Sequence, residues 1–177
     1  MSAHPSNRLI VAAFEQEMAR LKRTCESAID QVADADLHTQ LSPRQNSLAA
    51  IIQHVAGNME SRFTDFLTTD GEKPTRNREA EFADRHLPRP DLMALWNRGW
   101  QCTFNALAPL TDADLHRTIT IRNEPHTVAL ALARQLGHQG WHAGQILLLA
   151  KHLVGDRWQY VTIAPGGTAS FNKGKGL

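Results

Sequence analysis

The chain has 177 residues, a formal net charge of +1 and two cysteines, Cys25 and Cys102, both in helix-like patterns. This length fits one domain spanning residues 1–177. Because the charges are scattered, nucleic-acid binding through a basic stripe is not expected. Two buried free thiols are what a protein of the reducing cytoplasm would have. No apolar run approaches the about 20 residues of a membrane-spanning helix, and no signal peptide is evident.

Apolar residues at helical spacing predict the first two helices. The first is capped by Ser6 and ends near Ala33. Both Ser42 and Ser47 can cap the second helix, because each precedes a helix-compatible stretch with suitable capping chemistry. We favour Ser47, and the apolar pattern that follows it ends at Leu67.

Residues 68–90 form a long connection with no clear period. A connection of this length inside a compact domain indicates a crossover that spans a helix bundle, or a functional loop. The third helix is predicted over residues 91–107, with Pro90 at its entry and Pro109 just beyond its end.

The last part of the chain combines a short hairpin, a long helix and an arm. Thr118–Ile121 alternates in the manner of a strand, and residues 122–125 can turn the chain back. Thr127 caps the fourth helix, which ends at Gly155. Residues 157–177 are predicted to form an irregular C-terminal arm that packs on the bundle through four apolar side chains. These are Trp158, Tyr160, Ile163 and Phe171.

The predicted fold class is therefore all-α. We expect a four-helix bundle with a long crossover connection, a small hairpin before the fourth helix and an irregular C-terminal arm.

Three histidines form the candidate functional site. His138 and His142 are four residues apart, so a helix places both on one face, roughly 5–6 Å apart at Cβ. A third ligand must come from a neighbouring helix, and His54 is the histidine that lies within another helical core pattern. Gln139 follows His138, so the zincin pattern with its glutamate base is absent. Imidazoles suit Zn, Ni, Fe or Cu, so the divalent metal is not identified by its ligands.

Several polar residues lie near the histidines in the predicted helices. Asn58 and Arg62 on the second helix can orient a bound anionic ligand or cofactor, or else form a solvated edge. Gln145 and Arg134 on the fourth helix are candidate hydrogen-bond partners of the histidines. Trp141 is expected to be a core residue rather than a wall for substrate.

The ligand type also indicates a chemistry. Three neutral imidazoles leave a divalent ion its full charge and open positions, which is typical of catalytic metal sites. Such an ion lowers the pKa of a bound thiol or water. Because no Asp or Glu lies on the inner faces of the second or fourth helix, we rank thiol transfer above hydrolysis. The non-enzymatic alternative is a dimeric binding protein with a structural metal.

The arrangement of an isolated His, a distant His-x-x-x-His and a following Gly-Gln-Ile resembles the DinB/YfiT-type superfamily of metalloenzymes. Residues 57–73, 141–146 and 163–172 carry a closer match to a branch that lacks an assigned function. The resemblance covers nearly the whole chain and implies that the three histidines are the metal ligands and that the protein is a homodimer. Some relatives transfer low-molecular-weight thiols such as bacillithiol or mycothiol. The small-molecule substrate of this chain is not implied, because a shared site does not mean a shared substrate.

Overall fold

A computed structural model describes residues 7–83 and 85–176. Four long helices form a bundle, accompanied by two short helices and one hairpin, which confirms the all-α prediction. The helices are α1 (Leu9–Ile29), α2 (Leu48–Phe63), α3 (Arg78–Phe82), α4 (Arg89–Leu107), α5 (Val128–Val154) and α6 (Thr168–Gly174). The strands are β1 (Thr118–Ile121) and β2 (Glu124–Thr127), and 3-10 turns lie at Asp34–Asp36, Asp112–His116 and Gly155–Arg157.

The bundle consists of two close helix pairs. The helix α2 packs most extensively against α4, and α1 against α5, whereas α2 and α5 share a smaller contact that we call the α2–α5 seam. The crossing of α2 and α4 is tight, because a Cβ atom on Gly99 would lie 2.9 Å from the Cα atom of Ala56. Trp96 and Trp100 of α4 are buried in the same core, where aromatic side chains contribute large apolar areas.

Two side-chain caps fix where the helices of the seam begin. The hydroxyl of Ser47 accepts a hydrogen bond from the Ala50 N–H at 3.2 Å, and that of Thr127 accepts one from the Leu130 N–H at 3.1 Å. These contacts confirm the favoured start of α2 and the predicted start of α5. Gly155 follows α5 with a φ of 62°, a left-handed conformation that glycine adopts without strain, and it confirms the predicted end.

Two predicted helix ends are wrong by four residues. The helix α1 ends at Ile29 rather than near Ala33, because the chain tightens into a turn in which Val32 N–H donates to the Ile29 carbonyl at 3.1 Å. The helix α2 ends at Phe63, because the next residue adopts extended backbone. The predicted cap of α1, Ser6, lies outside the described residues.

The 68–90 connection contains more structure than its sequence pattern predicts. Asn77 caps the short helix α3 by accepting a hydrogen bond from the Ala80 N–H at 3.0 Å. The helix α4 then begins at Arg89, two residues before the predicted start, with Pro90 in its first turn. The described residues of the connection, 68–83 and 85–90, therefore include a helical turn of their own.

The predicted hairpin is confirmed as an antiparallel pair of β1 and β2. Its turn is shorter than the predicted residues 122–125, because only Arg122 and Asn123 connect the strands, with φ values of 57° and 61°. This is the backbone of a tight hairpin turn. The Asp70 carboxylate accepts hydrogen bonds from both turn N–H groups at 2.8 Å, so the 68–90 connection holds the hairpin tip.

The C-terminal arm is held to α1 mainly by hydrogen bonds. Gln159 N–H donates to the Gln31 side chain at 2.8 Å, and the Gln31 amide donates back to the Gln159 carbonyl at 3.0 Å. Of the four predicted anchors, Trp158 is half-buried against the core. The prediction is wrong for the other three, which are 43–47 % exposed: Tyr160, Ile163 and Phe171.

No helix among the described residues is long and apolar enough to span a membrane. Both cysteines are free, with Cys25 buried and Cys102 half-buried. Burial raises the pKa of the Cys25 thiol to about 12, and the nearby Glu26 carboxylate adds to the rise. This thiol is therefore protonated and unreactive.

Candidate metal centre

The three predicted histidines meet at the α2–α5 seam. The Nε2 atom of His138 lies 3.4 Å from that of His54 and 3.2 Å from that of His142. The possible ligand atoms of all three rings lie within 4.8 Å of one another. His54 is buried on α2, whereas the two histidines of α5 are half-buried.

The hydrogen bonds of the outer ring nitrogens determine which nitrogens face each other. His54 Nδ1 lies 2.8 Å from a carboxylate oxygen of Glu81, and His142 Nδ1 lies 2.9 Å from the side-chain oxygen of Gln145. Because both oxygens only accept, each Nδ1 carries the hydrogen. In the neutral rings, Nε2 then presents a lone pair toward His138.

A hydrogen on Nε2 of His138 can bond to only one of these two lone pairs, whereas a cation between the rings can bind all three nitrogens. Imidazole ligands lie about 2.0–2.1 Å from zinc, so two of them at a tetrahedral angle are about 3.3–3.4 Å apart. The observed separations of 3.2 and 3.4 Å match this spacing. The residues present therefore fit a divalent metal ion.

The surroundings of the two α5 histidines favour the neutral imidazole. Burial, followed by the neighbouring His142 and His54, lowers the pKa of His138 to about 3. Burial also lowers the pKa of His142, although its bond to Gln145 opposes the shift. Metal binding requires deprotonated ligands. At neutral pH the two α5 imidazoles are thus in the form that binds metal.

Residues of the 68–90 connection contact His54 and its hydrogen-bond partner Glu81. Arg76 donates two hydrogen bonds to the Glu81 carboxylate, at 2.7 and 2.8 Å. The Phe82 ring stacks on His54 with a centroid distance of 4.4 Å. Burial alone would raise the pKa of Glu81, but the hydrogen bonds from His54 and Arg76 outweigh it and hold this pKa below its usual range.

Sequence reasoning missed Glu81, Arg76 and Phe82. The available signal was Asn77, a good N-cap residue followed by the helix-compatible residues of α3. That pattern predicts a helical turn, but it does not show which helix the turn packs against.

The predicted anion-binding pair of α2 has partners within the protein. The Asn58 side-chain oxygen accepts a hydrogen bond from Gln135 at 3.0 Å. Arg62 donates to the Gly71 carbonyl and forms an ion pair with Glu72 at 3.1 Å. Asn58 thus contacts α5, whereas Arg62 contacts the 68–90 connection, and their predicted role in binding an anionic ligand stays a prediction.

On α5, the structure separates the three remaining candidates. Gln145 is the partner of His142, as predicted. Arg134 was predicted beside the ligands, but it donates to His126 at 3.0 Å, because its side chain points back along the helix. The prediction that Trp141 is a core residue is wrong, since 75 % of it is exposed.

Comparisons with known proteins give a family but no activity. The sequence model of a family described as "Protein of unknown function (DUF1572)" matches residues 6–167. No curated protein matches the chain. A solved structure described as the conserved protein of a locus from Enterococcus faecalis is similar in fold, with a TM-score of 0.63 and 15 % identity. The alignment covers 83 % of this chain and 98 % of that one.

Proposed function

This chain belongs to the DUF1572 family, which is described as being of unknown function, and we propose from its own site that it binds a divalent metal through His54, His138 and His142. We further propose that the metal serves transfer of a low-molecular-weight thiol. The DinB-type resemblance of the sequence agrees with both proposals, but the site geometry is their main support.

One observation carries the metal proposal. The Nε2 atom of His138 lies 3.4 Å from that of His54 and 3.2 Å from that of His142. The rings of His54 and His142 are bonded at Nδ1 to oxygens that only accept. A hydrogen on Nε2 of His138 can bond to only one of the two facing lone pairs, so hydrogen bonds between the rings leave the other lone pair unpaired.

The thiol proposal rests on the charge and protonation of the surrounding residues. A divalent ion bound by neutral imidazoles is a Lewis acid that lowers the pKa of a thiol or water in contact with it. In the transfer, the thiol proton passes to solvent, the sulfur electron pair forms a bond to the electrophilic carbon, and the leaving group departs with its electron pair. No separate protein base is needed.

The remaining carboxylate at the site argues against hydrolysis as the first choice. Glu81 contacts His54 at Nδ1, the edge of the ring opposite Nε2, and it is also bonded to Arg76. It is therefore poorly placed to take a proton from water on the open side of the ion. A metal-dependent hydrolase ranks second for this reason.

A purely structural metal would be closed by four protein ligands. Among the described residues, no Cys, Asp or Glu joins the three histidines within the same reach. An open position favours a site that binds substrate. The alternative of a non-catalytic protein with a structural metal therefore ranks below both enzymes.

The metal proposal is tested by elemental analysis of the purified protein and four variants. We expect about one divalent ion per chain in the wild type and a large loss in each of His54→Ala, His138→Ala and His142→Ala. His152→Ala is the matched control, because His152 is exposed on the same helix α5. Equal metal content in all five proteins would contradict the proposal.

The thiol proposal is tested with cobalt-substituted protein. Addition of a small thiol should produce an intense sulfur-to-metal charge-transfer band and, with an alkylating electrophile, a thioether product. A cobalt spectrum that no thiol changes, together with an apoprotein that unfolds without metal, would instead support the structural role.

Two expectations stay predictions: a homodimer and a cytoplasmic location. If the dimer forms, its interface would include Leu130, Trp141 and Leu148, which share the exposed face of α5 and are 49, 75 and 71 % exposed. Light scattering of the wild type and Trp141→Lys tests this, with a mass of two chains expected only for the wild type.

A further inference from the structure

We propose that Glu81, held by Arg76, is a positioning residue that presents Nε2 of His54 to the metal. This inference rests on the proposed metal site and assigns part of that site to the 68–90 connection. The carboxylate does not touch the ion and acts through the orientation of the ring and through the nitrogen that carries its hydrogen.

The first step of the argument is the choice of tautomer. A neutral imidazole can carry its hydrogen on either nitrogen, and only the nitrogen without it can bind a metal. Glu81 lies 2.8 Å from Nδ1 of His54, with both side chains at most 9 % exposed. Because water has little access, the carboxylate is the acceptor that holds the hydrogen on Nδ1. This leaves Nε2 free on the side of His138.

The second step is the fixation of the carboxylate itself. Arg76 approaches it with Nε and Nη2 at 2.7 and 2.8 Å, a two-pronged contact that sets the plane of the carboxylate. The Arg76 side chain is only 4 % exposed and also lies 3.3 Å from Glu72. A buried ion pair of this kind is weak evidence for added stability, since apolar residues often do as well. The need to orient His54 accounts for the presence of the buried Arg76–Glu81 ion pair.

The third step is an independent feature of α2. A Cβ atom on Gly57 would lie 2.6 Å from a carboxylate oxygen of Glu81. Glycine inside a helix is destabilising by roughly 0.5–1 kcal/mol relative to alanine. The helix that carries His54 therefore has a less favourable residue at the position where Glu81 needs room.

The fourth step concerns the face of the ring. Phe82, the neighbour of Glu81 in α3, stacks on His54 at 25° between the ring planes. One edge and one face of the imidazole are thus held by consecutive residues of the connection. Conserved outer partners of this type change metal affinity by 10–100-fold when removed.

The test begins with metal-free protein labelled with nitrogen-15. Long-range proton–nitrogen spectra report which nitrogen of His54 is protonated. We expect the Nδ1–H form in the wild type and a mixture of both forms in Glu81→Ala. A wild type with the hydrogen on Nε2, or a variant with an unchanged tautomer, would overturn the proposal.

The second measurement is zinc affinity, by competition with a chelator. Glu81→Ala should weaken zinc binding by about 10–100-fold. Glu81→Gln should weaken it by less than Glu81→Ala, because the amide keeps the size of the side chain and one acceptor oxygen. Some loss is still expected, since that one oxygen replaces two in accepting from three donors. Glu79→Gln is the matched control, as this neighbour in α3 has a side chain that is 88 % exposed. Unchanged affinity in Glu81→Ala would overturn the positioning role.

The two measurements separate this inference from the proposed function. If the wild type bound no zinc, the metal proposal would fail, while the spectra of metal-free protein would still decide the tautomer. Should Glu81→Ala not fold, Glu81→Gln keeps the packing but removes one of the two acceptor oxygens. A zinc affinity of Glu81→Gln equal to that of the wild type, with the wild-type melting temperature, would then count against the proposal.

Discussion

The two sides of the candidate metal centre are built differently. On the α2 side, His54 is buried and held by Glu81, Arg76 and the ring of Phe82. On the α5 side, the two histidines are half-buried, and the outer partner of His142 is the exposed Gln145.

This difference shows which contacts fix the histidines on each side. The α5 side derives its geometry from the helix, because two ligands four residues apart share a face whatever else surrounds them. The α2 side contributes a single ligand, so its orientation depends on residues from another segment. Perturbations should therefore affect the α2 side through positioning and the α5 side through protonation.

The largest expected effect is a pH dependence that originates on the α5 side. His138 has a pKa lowered to about 3 in the folded chain, compared with about 6.5 for an unperturbed histidine. Below pH 6.5 the unfolded chain takes up this proton first, so the stability of the metal-free protein falls as the pH drops toward 3. The contribution is at most about 1.4 kcal/mol per pH unit.

Denaturant titrations of metal-free protein between pH 3 and 7 measure this slope. The variant His138→Gln should show a shallower slope than the wild type, since the group that binds the extra proton is gone. His152→Gln removes an exposed histidine from the same helix and should leave the slope as it is. If the free energy of unfolding changed with pH equally in wild type and His138→Gln, the pH dependence would not originate on the α5 side.

The next effect separates the two sides with a pair of glycines. Gly57→Ala places a methyl group 2.6 Å from the Glu81 carboxylate, so the carboxylate must move away from His54. We expect about tenfold weaker zinc binding. Gly140→Ala, between the two α5 ligands, meets nothing within 4 Å and should leave zinc affinity unchanged.

Thermal or denaturant unfolding completes this comparison. Gly140→Ala should raise the free energy of unfolding by about 0.4–1 kcal/mol, because alanine favours the helix and restricts the unfolded chain. Equal zinc affinities of Gly57→Ala and Gly140→Ala would contradict the expectation that only the α2 side depends on positioning by another segment.

The smallest expected effect concerns the outer partner on the α5 side. Gln145→Ala removes one neutral hydrogen bond from an exposed position, a contact worth about 0.5 kcal/mol at the lower end of such bonds. Zinc affinity should then fall about two- to threefold, well below the loss expected for Glu81→Ala. A loss as large as that of Glu81→Ala would show that both sides depend equally on outer partners.

The sequence was sufficient for the features that depend on local patterns. The caps Ser47 and Thr127, the hairpin and the pair His138 and His142 all follow from spacing and residue type, and the structure contains each of them. His54 followed from topology, because a second ligand helix had to lie against α5.

The missed features depend on tertiary contacts. Glu81 contacts a residue 27 positions earlier in the chain, and no local period records such a contact. Trp141 was misassigned because an aromatic residue in an apolar helix suggests burial, whereas its side of α5 faces away from the other helices of the chain. The prediction for the arm was wrong for a similar reason: Trp158 packs on the core, but hydrogen bonds between Gln31 and Gln159 hold the arm where three further apolar anchors were expected.

The α2–α5 seam also has a consequence for motion. His54 and His138 are separated by 84 positions and belong to different helix pairs, so a metal ion would act as a removable cross-link between the two halves of the bundle. Without it, the seam is the natural place for a sub-global opening in which each pair stays packed. With it, opening must also release the ion. Metal binding should then slow the exchange of those amide protons of α2 and α5 that this opening exposes to solvent.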